Sequence, residues 1–98
     1  MKIVISSNKG SLGNPEDPDT KFFIFTLQEG KIAGVEEITE KEKRRLTLLD
    51  WVLLKRINVL YVSTIDIFMK QTLNSLGIVV KQKDELVDDP FYNKFIFD

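Results

Sequence analysis

The chain has 98 residues, 43% of them hydrophobic and 30% charged, with no histidine and no cysteine. Its 14 basic and 15 acidic residues leave a net charge of -1, which excludes a broad field for nucleic acid. Disulfides and the imidazole and thiolate ligands of transition metals are excluded too; only Met1 and Met69 carry sulfur. The length fits one domain over 1–98. No run approaches the roughly 18 apolar residues of a membrane span, and Ile3-Val4-Ile5 behind Met1-Lys2 is too short for a signal-peptide core. Cytoplasmic is the default expectation.

Residues 2–6 (KIVIS) are β-branched and apolar and read as a buried strand. Residues 7–20 (SNKGSLGNPEDPDT) are rich in glycine, proline and small polar residues and read as one long loop. Residues 21–27 (KFFIFTL) read as a second strand buried on both faces. Gln28-Glu29-Gly30-Lys31 then supplies a hairpin turn into a more polar third strand, residues 32–38.

Thr39 and Glu42 form a capping box ahead of an apolar-periodic run, which predicts a helix over 40–56. Leu46, Leu49, Leu53 and Ile57 make its stripe, and Trp51 lies within it. Residues 59–63 (VLYVS) predict a fourth strand, 66–76 a second helix closed by Gly77, and 78–81 a fifth strand. The remaining segment, 82–98, is acidic and then aromatic. The order β-β-β-α-β-α-β implies an α/β domain with a mixed sheet and helices on its faces.

In an open α/β sheet, ligands favour the crevice beyond the carboxyl ends of the strands, where strand order reverses. With strands one and four parallel and adjacent, the loops 7–20 and 63–66 meet there. Candidate ligand-binding residues are therefore Ser7, Asn8, Lys9, Gly10, Asp19, Ser63 and Thr64. Each also has a structural reading: turn formers in the first loop, helix caps in the second, with Asp66 as a cap that would fill the free amides and repel an anion. Glu16, Asp17 and Asp19 lack the glycine and spacing of a calcium loop and read as a solvated acidic loop. Lys41, Lys43, Arg44 and Arg45 read as a solvated helix face. Phe91, Tyr92, Phe95 and Phe97 are too many aromatics for water, so they pack back on the sheet or cover a partner. No histidine is present to activate a nucleophile and no acid falls inside strands one, two or four, so no catalytic residues are assigned.

Several segments resemble the dinitrogenase iron–molybdenum cofactor biosynthesis (NifX-like) family. They are Met1-Lys2-Ile3-Val4-Ile5, the proline-rich Asn14-Pro15-Glu16-Asp17-Pro18, the apolar Phe22 to Phe25, the hairpin Gly30-Lys31-Ile32, the strand Val59 to Val62, and Leu76-Gly77-Ile78 before Val79-Val80. The resemblance covers about residues 1–82 and leaves 83–98 as a distinct tail. It implies a three-layer, ribonuclease-H-like motif with a five-stranded mixed sheet in the order 3-2-1-4-5, strand 2 antiparallel. It also implies an accessory or carrier role in iron–molybdenum or iron–sulfur cluster handling, without catalysis. This chain departs from the family pattern where the latter has a His-Phe-Gly-Arg segment, reading Asp19-Thr20-Lys21 near there. It departs again at the glycine-rich turn, which reads Ser63-Thr64-Ile65-Asp66-Ile67. The alternative expectation is a protein-interaction module without a cofactor, a homodimer through the aromatic tail or an edge strand.

Overall fold

A computed structural model describes residues 1–86 and 88–95. In chain order these form β1 (Lys2–Asn8), β2 (Ser11–Leu12), β3 (Lys21–Gln28), β4 (Lys31–Glu37), α1 (Glu40–Arg45), α2 (Leu48–Leu54), β5 (Val59–Val62), α3 (Ile67–Ser75), β6 (Val79–Gln82), a 3-10 turn at Lys83–Glu85, and α4 (Pro90–Phe95). The mixed α/β class expected from the sequence holds. The sheet has six strands rather than five, in the order β4-β3-β1-β5-β6 with β2 off this path, paired to β1. β1 is antiparallel to β3 and parallel to β5, β4 is antiparallel to β3, and β6 is parallel to β5.

The additional strand corrects the reading of 7–20 as one loop. β1 continues through Ser7 and Asn8, turns at Lys9-Gly10 and returns as β2, pairing Asn8 with Ser11 and Ser7 with Leu12. Lys9 and Gly10 have φ of 54° and 82°. Two central residues of positive φ are the requirement of a type I′ hairpin, whose twist matches the flanking strands. The expected turn at 28–31 is built the same way, with φ of 53° at Glu29 and 75° at Gly30.

The predicted helix 40–56 is two helices. Leu46 is extended, with φ -120° and ψ 137°, and Thr47 opens a second capping box with Asp50. The Thr47 side chain accepts from the Asp50 amide, and the Asp50 carboxylate accepts from the Thr47 amide. A cap that satisfies free amides on both sides competes with helix continuation. The break lets α2 turn Trp51 and Val52 inward, both buried.

Alternation along the strands sorts the side chains between two faces. One face presents Val4, Phe22, Ile24, Leu60, Val62 and Val80 to Trp51 and Val52 of α2, Leu73 of α3, and Ile38, Ile57, Ile65 and Ile78. The other presents Ile3, Ile5 and Tyr61 to Leu12, Leu86 and Tyr92, with Phe25, Leu27, Val59 and Phe91 at its margin. The C-terminal segment therefore forms the second cover. On the first face Lys55 Nζ bridges Glu36 of β4 at 3.2 Å and Glu42 of α1 at 3.0 Å. The Glu42 carboxyl is held below its ordinary range by the Thr39 amide and by Lys55.

Candidate functional site

Parallel pairing of β1 with β5 brings the two expected loops together: the Ser63 amide donates to the Gly13 carbonyl at 3.0 Å. Gly13 also donates to the Ser6 carbonyl at 2.8 Å. A Cβ on Gly13 would lie 2.9 Å from both the Asn8 Cβ and the Thr20 Oγ1, so only glycine lets the chain pass between these side chains.

Beside this junction lies a cavity of about 410 Å³, lined by Ser7, Asn8, Lys9, Gly10, Asp19, Lys21 and Phe23. Five of these are candidates named from the sequence. Lys21 and Phe23 were missed, although strand pairing could have found them: β3 sets Lys21 opposite Ser7 and Phe23 opposite Ile5. Ser63 and Thr64 do not line the cavity. Ser63 is held by its backbone at Gly13, and Thr64 is exposed. The N-terminus of α3 offers no anion site, because the Asp66 carboxylate already accepts from the amides of Phe68 at 3.0 Å and Met69 at 3.1 Å.

The acidic loop beside the cavity is built by its own side chains. Asn14 accepts from the Glu16 amide, Asp17 accepts from the Asp19 amide at 2.9 Å, and the Asn8 amide group donates to Asp17 at 3.1 Å. Lys43 of α1 donates to the carbonyls of Pro18 and Thr20 and ties the loop to the helix layer. Asp17 is thus a turn-forming residue, and no cluster of three metal-ligating side chains occurs among the described residues. Lys9, Lys21 and the Asp19 carboxylate have no ion pair among the described residues. The cavity lining therefore includes two lysines and an aspartate without ion pairs, a serine and a phenylalanine. Such a lining can hold a polar anion by charge and hydrogen bonds. It contains no thiolate or imidazole to enter a metal's coordination sphere.

Ser6, one residue before the cavity lining, is fully buried on the helix-covered face, and its hydroxyl has no hydrogen-bond partner among the described residues. An unmet buried hydroxyl costs about 1–3 kcal/mol. Ser6→Ala is therefore expected to raise stability by about 1 kcal/mol, read as a shift of the urea midpoint at unchanged slope.

A second polar cluster was not anticipated. Asp89, buried just before α4, accepts from the Tyr61 hydroxyl at 2.9 Å and the Tyr92 amide at 2.8 Å, and it contacts the Lys81 ammonium. Burial, then the hydrogen bond and charge of Asp89, push the Tyr61 hydroxyl well above the ordinary phenol range. The sequence signal was a single tyrosine in an apolar strand, whose hydroxyl must find a partner once buried. Of the expected interaction residues, Phe91 packs against Phe25 and Tyr61 with ring centroids 6.0 and 5.7 Å apart. Tyr92 stacks on Tyr61 at 6.3 Å. Phe95 closes α4, and Phe97 lies outside the described residues.

No protein-family model matches the chain, and no curated protein matches it. Solved structures do match. The protein PH0822 is 18% identical with a TM-score of 0.63, the match covering 84% of this chain and 76% of that one. A Methanocaldococcus jannaschii protein (mj0327), named provisionally as a dinitrogenase, is also 18% identical, with a TM-score of 0.61 over 82% of this chain and 72% of that one. At this identity the likeness is one of fold: the chain shares the α/β fold of these two proteins.

Proposed function

We propose that the chain is a non-catalytic accessory domain, working in the cytoplasm, that carries an anionic ligand in the cavity between the β1–β2 turn and the start of β3. By likeness of fold, the ligand class is an iron–molybdenum or iron–sulfur cluster or a precursor of one. What supports the reading is the coincidence of the loop expected from topology with a 410 Å³ cavity carrying two unpaired lysines. The donor chemistry limits how a cluster is held. With no cysteine or histidine in the chain, the cargo keeps its own ligands, and this protein contacts them from outside through Lys9, Lys21, Ser7 and Asn8. The competing reading, dimerisation through the aromatic tail, loses surface because Phe91 and Tyr92 pack on the chain's own sheet.

Anaerobic native mass spectrometry of protein purified from its own host tests this. The expected result is an added mass containing iron, molybdenum or sulfur, lost in the Lys9→Ala/Lys21→Ala variant. Two charge-assisted contacts at about 1.5 kcal/mol each imply a loss of affinity on the order of a hundredfold. A bare chain from the host, or an adduct indifferent to both lysines, would overturn the proposal.

A further inference from the structure

We infer that Asp19 makes the cavity selective for anions that bring a proton with them, and that Lys43 is the positioning residue that holds Asp19 in place. The inference rests on the reading of this cavity as an anion site. Asp19 lines it together with Lys9 and Lys21. The Asp19 carboxylate has no hydrogen bond or ion pair among the described residues. Two lysines attract an anion by charge, whereas an ionised carboxylate can only accept hydrogen bonds. It repels an anion that is fully ionised and binds one that keeps a proton to donate. A group that opposes the wrong ligand lets a site discriminate between anions of the same shape. The ligand class is therefore an acid anion that retains a proton, or an anionic cargo bearing a hydroxyl among its outer groups.

The backbone around Asp19 is fixed from both sides. Lys43 Nζ donates to the Pro18 carbonyl at 3.0 Å and to the Thr20 carbonyl at 2.7 Å, so its two contacts bracket Asp19. The Asp19 amide donates to the Asp17 carboxylate at 2.9 Å, and the buried Thr20 hydroxyl donates to the Asn14 carbonyl at 2.6 Å. Pro18 and Lys43 line a separate cavity of about 180 Å³ against Phe22 and Trp51. The tether therefore lies on the helix side of the loop, and Asp19 on the side of the larger cavity. Of the four cations expected on a solvated helix face, Lys41, Arg44 and Arg45 are exposed. Lys43 differs, its side chain being 15% exposed. Its carboxylate neighbour Glu40 is 3.6 Å away and itself 66% exposed, a weak pair. The two loop carbonyls are thus the main partners of a half-buried charge.

The test is isothermal titration calorimetry of the full chain with inorganic phosphate and with sulfate, at about pH 8 and equal ionic strength. Above the second ionisation of a phosphate both probes are tetrahedral dianions, and only hydrogen phosphate has a proton to donate. Phosphate is expected to bind about tenfold or more tightly than sulfate. Asp19→Asn, at an exposed residue, should abolish that preference, because an amide can donate to either anion. Lys43→Met should reduce the preference by about threefold or more, and Asp19→Asn/Lys43→Met should behave like Asp19→Asn alone, as two residues acting through one group do. Arg44→Gln removes an exposed charge from the same helix and should shift both affinities together, leaving their ratio unchanged. Equal binding of the two anions by the parent chain, or a preference that survives Asp19→Asn, would overturn the inference and leave the anion site standing. Binding of neither anion would overturn both. An unchanged ratio in Lys43→Met would show that Lys43 only staples the loop.

Discussion

Trp51→Ala is expected to destabilise the chain by about 4 kcal/mol and to lower its melting temperature by roughly 20 °C, at the 4–8 °C per kcal/mol typical of a domain this size. Trp51 is 2% exposed and belongs to the core cluster formed with Val4, Ile24 and Val52. Its ring meets Phe22 of β3 with centroids 4.9 Å apart and tilted by 54°. The setting makes the loss large. α2 has seven residues, far below the length at which a helix is stable alone, so it stands because its inward face is buried. Removing the indole leaves a void beside Phe22 and takes away the main reason for α2 to dock. Urea denaturation followed by far-ultraviolet circular dichroism measures the effect, since Trp51 is the only tryptophan and its fluorescence goes with it. Leu54→Ala, at a residue 68% exposed on the same helix, should change stability by less than about 0.5 kcal/mol. Comparable losses at the two positions would mean that α2 is not held by the face described.

The fold was legible where side-chain periodicity and turn chemistry agreed. The apolar runs 2–6, 21–27 and 59–63 became β1, β3 and β5, and the Glu29-Gly30 hairpin was read from its glycine. The same signal at Lys9-Gly10 was overlooked, because it sits inside a run of turn formers and the returning strand is only two residues long. No hydrophobic alternation can announce a strand that short. The helix break at Leu46–Thr47 was hidden by the leucine stripe, which runs through it without a gap. The competing signal, Thr47 with Asp50 three residues on, is a capping box by the same rule that located Thr39. The first half of the site followed from topology, since residues after β1 must lie at the sheet's carboxyl edge. Lys21 and Phe23 needed the β1–β3 register, which sequence order alone does not supply. Ser63 and Thr64 were reached by the same rule but do not line the cavity: Ser63 is held by its backbone at Gly13, and Thr64 is exposed. The Tyr61–Asp89 pairing joins residues 28 apart in sequence, with no local pattern linking them.

Asp89→Ala should cost about 3 kcal/mol and free the C-terminal segment from the sheet, because one carboxylate holds the segment's only buried polar cluster among the described residues. Three donors converge on it. The Tyr92 amide is a helix-cap contact, worth about 1 kcal/mol. The Tyr61 hydroxyl, on a residue 1% exposed, cannot reach water once its acceptor is gone, and an unmet buried hydroxyl adds about 1–3 kcal/mol. Lys81 contributes least, since its side chain is about one-third exposed and can turn outward while staying near the Tyr61 ring. Asp89→Asn keeps an acceptor and should lose about half as much. Limited proteolysis should cut the alanine variant first within 86–95, with the rest of the chain protected. The same cluster sets an alkaline limit. The folded Tyr61 hydroxyl is raised above its ordinary value of 10.0, so the native state keeps a proton that the unfolded chain gives up. Its contribution is therefore complete below pH 10.0 and declines as pH rises above that value. Tyr61→Phe removes this part of the alkaline loss while leaving the fall due to Lys55, whose ammonium is held above its ordinary range by Glu42 and Glu36. A stability profile of Tyr61→Phe parallel to wild type above pH 10.0, or an Asp89→Ala variant as resistant to protease as the parent, would show that the carboxylate does not hold α4 in place.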